Sequence, residues 1–136
     1  MWTIRGLFTE LARNEDEILA MIEDGSLLYA FDLSLEPKLA KQRALRVLPH
    51  CVDDFIAGRS CEFEWPAVAR LLVPHDHPIL TGLEVQHVCN VSCAHVTALI
   101  RRKFLTAVKN GRPGPGGSPR ITTESFLRFL QDRRFP

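Results

Sequence analysis

The residues best suited to chemistry lie between Ser92 and Arg120. A helix capped by Ser92 and ending near Lys103 would bury Val96, Leu99 and Ile100, which share one face at helical spacing. The other face then carries Cys93, Ala94, His95, Thr97, Ala98, Arg101 and Arg102, with Lys103 at the end. That set suits the reading of duplex DNA. Arginine can bridge guanine O6 and N7, histidine and threonine can donate to bases or phosphates, and alanine can pack on a thymine methyl. Lys109, Arg112 and Arg120 flank or lie within the run from Lys109 to Pro119, whose glycines and prolines exclude helix and interior strand. A loop of that composition suits contact with phosphates or the minor groove. The plainer reading of Arg101 and Arg102 is a solvated helix end whose cations complement the dipole.

Other chemistries have weaker footing. His87, Cys89, Cys93 and His95 are zinc-ligand types, but their spacing departs from the usual knuckle patterns and Cys89 falls at an apolar position. His75-Asp76-His77 lies between Pro74 and Pro78 and reads as a loop, while Cys51 and Cys61 read as small apolar fillers. Asp53 and Asp54 would diverge on a helix. No Ser-x-x-Lys, Gly-x-Ser-x-Gly, His-Glu-x-x-His or phosphate-binding glycine loop is present. The expectation is a protein that is not an enzyme and that uses neither metal nor cofactor.

The elements that must hold these residues follow from an internal repeat. At constant offset, Leu7, Leu11, Ile18, Met21, Ile22 and Leu27 fall on Val85, Cys89, Val96, Leu99, Ile100 and Leu105, every pair apolar. With a gap four residues longer in the first copy, Val47, Val52, Phe55 and Ile56 fall on Ile121, Phe126, Phe129 and Leu130. The spacing predicts two short helices around a tight turn, then a hairpin, then a closing helix. In the second copy these are a helix over 83–89, a turn at Asn90, a helix from 92 to 103, a wing over 104–121 and a final helix capped by Thr122 or Thr123. The first wing strand is expected over 104–108.

Several segments of the second copy resemble one family. Leu83-Glu84-Val85-Gln86-His87-Val88-Cys89-Asn90-Val91-Ser92 resembles the opening of excisionase-type domains related to the MerR DNA-binding domain, in which Glu-Val-Ala-x-Leu-Leu-Gly-Val-Ser precedes the recognition helix. Val96, Leu99 and Ile100 resemble its Val-x-x-Leu-Ile helix, and Leu105-Thr106-Ala107-Val108 its Leu-Pro-Ala-Val wing strand. The stretch from Arg120 to Leu130 is similar to its closing Arg-Ile-x-x-x-x-Leu-x-x-Phe-Leu. Lys103 departs from the glycine usual before the wing, and Cys93-Ala94-His95 from the usual helix opening. The resemblance implies a winged helix-turn-helix over 83–134, with Ser92, Ala94, His95, Thr97, Arg101, Arg102, Lys103, Lys109, Arg112 and Arg120 at DNA. It also implies a role in transcription regulation or in recombination, plasmid or phage DNA handling.

Charge separates the copies. Residues 1–58 hold six basic side chains against ten acidic ones, whereas residues 79–136 hold nine against three, although the chain as a whole carries only +1. The presumed reading helix of the first copy, from Glu15 to Asp24, is strongly acidic and would be repelled by a polyanion. A first copy of this kind suits dimerisation or binding of a partner protein.

The expected fold is mainly α with small β-hairpins, two tandem winged helix-turn-helix units joined by a short helical linker. The units span 1–58 and 81–136, and the linker spans 59–80 with a helix after Trp65-Pro66. At 136 residues and 46% hydrophobic content the chain suits one domain or two very small ones. It shows neither a membrane-spanning run nor a secretory leader, so the expected setting is cytoplasmic, with no membrane partner. A protein–protein adaptor that never touches DNA is the alternative reading.

Overall fold

The computed structural model describes residues 1–35, 44–60, 63–108 and 119–135. These form two units, one of residues 1–62 and 133–136 and one of residues 63–132. Both combine short helices with small antiparallel sheets, as the sequence leads one to expect at that level.

The first unit runs β1 (Trp2–Thr3), α1 (Ile4–Glu10), α2 (Glu15–Glu23), β2 (Ala30–Asp32), β3 (Leu45–Val47) and α3 (Pro49–Ile56). The second runs α4 (Trp65–Leu72), β4 (Ile79–Thr81), α5 (Gly82–Cys89), α6 (Cys93–Arg101), β5 (Arg120–Thr122) and α7 (Thr123–Asp132). Apart from α4, and from β2, which has only the isolated bridge at Ala107 as its counterpart, the two orders correspond, and so do their local devices. Thr3 and Thr81 cap α1 and α5 by accepting a backbone N–H from Gly6 and Glu84. Asn14 and Ser92 cap α2 and α6 by accepting from Glu17 and His95. Each such cap is worth about 1 kcal/mol, because it satisfies a donor the helix cannot. Between the helices Ala12 (φ 51°) and Asn90 (φ 53°) turn the chain in left-handed conformation. Trp2 and Thr3 face Val47 and Arg46, as Leu80 and Thr81 face Ile121 and Arg120.

Burial follows the same pattern. Leu7, Ile18, Met21, Leu27, Val47 and Val52 are buried, as are Val85, Val96, Leu99, Leu105, Ile121 and Phe126. The largest departure is at the end of the closing helix, where Leu130 is fully buried and Ile56 is 55% exposed. Smaller ones pair half-buried Leu11, Phe55 and Ile100 with buried Cys89, Phe129 and Ile22. Phe129 packs its ring, tilted by 30°, 5.8 Å from that of Phe104.

Three expectations change. The segment 104–108 forms no regular strand: Ala107 makes an isolated bridge to Ile121, and the regular partner of β5 is β4. Two- and three-residue strands have no readable alternation, so β1 and β4 left no signal in the sequence. The helix placed in the linker, α4, belongs to the second unit and buries Val68 and Leu72 there. The residues after α7 belong to the first unit, where β6 (Arg134–Phe135) pairs antiparallel with β2 and extends the sheet to β1-β3-β2-β6.

The pull on β6 is both polar and apolar. Phe135 packs against the cluster of Leu7, Ile18, Leu27 and Val47, and the Asp32 N–H donates to the Arg133 carbonyl at 2.8 Å. Arg133 donates to the Ser34 carbonyl at 3.1 Å, and the Arg134 guanidinium lies 4.4 Å from the centre of the Tyr29 ring. At the end of β2, the buried Asp32 carboxylate accepts from both the backbone N–H and the hydroxyl of Ser34, as a buried polar group must. No described helix is long and apolar enough to cross a membrane.

Candidate nucleic-acid interface

Helix α6 is held from below and bare above. Its inner face buries Val96 and Leu99, and Ile100 is half-buried. Ser92, Cys93, Ala94, Arg101, Arg102 and Lys103 are exposed, while His95, Thr97 and Ala98 are half-buried on its flanks. The Thr97 hydroxyl donates to the Cys93 carbonyl at 3.0 Å, which fixes its rotamer and leaves its oxygen able to accept. Arg101 and Lys103 hold no ion pair among the described residues. Arg120, at the start of β5, is exposed beside the bridge that joins Ala107 to Ile121. Of the expected site, Lys109 and Arg112 lie outside the described residues, as does Cys61.

The turn into α6 is stiff. Asn90 adopts φ 53°, ψ 53° after α5, and the Val91 N–H donates to the Gln86 carbonyl at 3.2 Å. At the other end Lys103 has φ 62°, a conformation in which a side chain other than glycine costs roughly 1–2 kcal/mol. In the first unit the matching position is Gly25, φ 86°. An exposed lysine is thus kept where glycine would be easier.

The same surface of α2 is reversed in sign. Glu15, Asp16 and Glu17 lie on the first turn, where the dipole favours anions, and Glu17 completes a capping box with Asn14. Glu23 and Asp24 stand at the other end, at the positions of Arg101 and Arg102, where the dipole opposes them. Hydrogen bonds from the Ser26 hydroxyl and then its backbone N–H hold the Asp24 carboxyl below its ordinary pKa.

The residues weighed as zinc ligands diverge. Cys89 is buried in the core, Cys93 is exposed at the start of α6, and no group of three or more His, Cys, Asp or Glu residues is disposed to hold a metal among the described residues. Sequence reading overlooked Thr81 and Asn14 as caps, although Thr81-x-x-Glu84 and Asn14-x-x-Glu17 both carry the spacing of a capping box. Compared with protein-family models, with curated proteins and with solved structures, the chain matches none of them.

Proposed function

We propose that residues 63–132 form a winged helix-turn-helix unit that binds duplex DNA, with α6 in the major groove and the segment between 104 and 121 as the wing. The observation that carries this reading is the exposed basic end of α6, Arg101-Arg102-Lys103, set on a helix whose opposite face buries Val96 and Leu99. A helix supported in this way can enter a groove without unfolding its own core, while α5, across the left-handed turn, crosses the backbone. Ser92, Ala94, His95 and Thr97 then face base edges or phosphates, and Arg120 with Lys109 and Arg112 holds the wing side. On this reading residues 1–62 form a second, acidic unit of the same kind that contacts a partner protein or another copy rather than DNA. The protein serves as a regulator of transcription or as an accessory factor in DNA recombination.

Fluorescence anisotropy on random-sequence duplexes, followed across salt, tests the reading. Four phosphate contacts would weaken binding roughly 150-fold between 50 and 200 mM salt. The Arg101→Glu/Arg102→Glu variant should lose binding and flatten the salt slope. Unaltered binding by that variant would remove α6 from the interface, and no binding by the parent protein at low salt would favour the adaptor reading.

A further inference from the structure

The second unit contains a cavity that the DNA reading does not use. It has a volume of about 200 Å³ and lies between the end of α4, the loop that follows, β4 and the outer side of α5. Leu72, Val73, Pro74, Leu80 and Val88 line its apolar part. Leu72 and Leu80 are almost fully buried, so the walls belong to the core. Around them stand His75, His77, Glu84 and His87, all exposed, and none is in an ion pair among the described residues. The His75 and His77 rings are 5.6 Å apart.

The wall that carries these histidines is anchored. The Thr123 hydroxyl donates to the His77 carbonyl at 2.7 Å, and the Thr123 N–H donates to the Pro78 carbonyl at 3.0 Å. Two bonds from the start of α7 therefore hold the loop across the cavity, and Pro74 and Pro78 restrict it further. A ligand entering here meets a formed site and loses little binding energy to ordering it.

We propose that this cavity binds a small single-ring aromatic compound bearing a protonated amine. The pocket is open on one side, where Pro74, His75, His77, Glu84 and His87 are exposed. Its volume is of the order that admits one ring, since an enclosed apolar cavity of about 150 Å³ takes up benzene. The chemistry of the rim supplies the rest. Each neutral imidazole offers one donor and one acceptor and so suits either kind of head, whereas the Glu84 carboxylate only accepts, which matches an ammonium and opposes an anion. The site is independent of the DNA reading, and neither needs the other.

Titration of the full chain with benzylamine, toluene and benzoate, followed by two-dimensional NMR, tests the proposal. Benzylamine should saturate with Kd below about 1 mM, with shifts centred on Leu80, Glu84 and Val88, and should bind at least fivefold tighter than toluene. Benzoate should bind weakest of the three. Val88→Trp, which fills the cavity, should abolish saturation, and the surface change Glu84→Gln should weaken benzylamine at least fivefold while leaving toluene unaltered. The Glu84→Gln arm needs no change in the core, so it stands even if the tryptophan variant fails to fold. Absence of saturable benzylamine binding, equal affinity for benzoate, or indifference to Glu84→Gln would each overturn the proposal.

Discussion

Helices α2 and α6 share a length, a cap, a left-handed exit and a buried apolar face, and they differ in what they show to solvent. Glu23 and Asp24 end one helix where Arg101 and Arg102 end the other, and Gly25 follows where Lys103 does. The apolar positions of the two units are nearly interchangeable, whereas their charged positions are opposed. Packing and surface charge thus reside in separate sets of residues, and a scaffold can be kept while its surface is rewritten.

The largest effects should come from cutting into what the units share unequally. Leu130→Ala should lower stability by about 2–5 kcal/mol, because its site is fully buried, while Ile56→Ala at the matching position should stay within about 0.5 kcal/mol. Chemical denaturation of the two variants measures the contrast, and equal losses would end the claim that the closing helices are differently covered. Next comes the surface. Arg101→Glu/Arg102→Glu should cost about 2–4 kcal/mol of DNA affinity, whereas Glu23→Gln/Asp24→Asn should change it by less than about threefold in the same anisotropy assay.

Smaller effects sharpen the comparison further. Lys103→Gly should raise stability by about 1 kcal/mol while weakening DNA binding, since it removes both the left-handed strain and a cation. Gly25→Lys should lower stability by a similar amount through the backbone alone, because no atom lies within 4 Å of the place its Cβ would occupy. The smallest effect concerns pH. The Asp24 carboxyl is held below its ordinary pKa by Ser26, so its contribution is present above the ordinary value and is lost as the pH falls through the lowered folded value. The stability difference between the parent protein and Asp24→Ala should therefore shrink on acidification, and thermal melts across acidic pH read it directly.

Much of this frame was legible in the sequence. Paired apolar residues such as Leu7 with Val85 and Ile18 with Val96 mark burial in both units, and Ser92 and Asn90 mark where α6 starts and α5 stops. The exposed cluster at Arg101 and Arg102 follows from helical spacing alone. What could not be read depends on partners distant in sequence. Ile79–Thr81 becomes a strand only because Arg120–Thr122 lies beside it, and neither segment is long enough to show alternation. Trp65–Leu72 was recognisable as a helix from its Pro66 opening, but its allegiance to the second unit depends on where Val68 and Leu72 find cover. Ile56 and Leu130 look alike in sequence, and only tertiary surroundings make one exposed and the other buried.

Strand β6 has a consequence for how the chain matures. The first unit is interrupted in sequence, with one of its two edge strands encoded after all of residues 63–132. On a ribosome, residues 1–60 would emerge with the hydrogen-bonding edge of β2 uncovered and would stay so while the whole second unit was synthesised. An uncovered edge of this kind invites pairing with neighbouring nascent chains. The few residues around Arg134 and Phe135 thus act as a late-arriving closure, and the span of synthesis before them is when the protein is most vulnerable to misassociation.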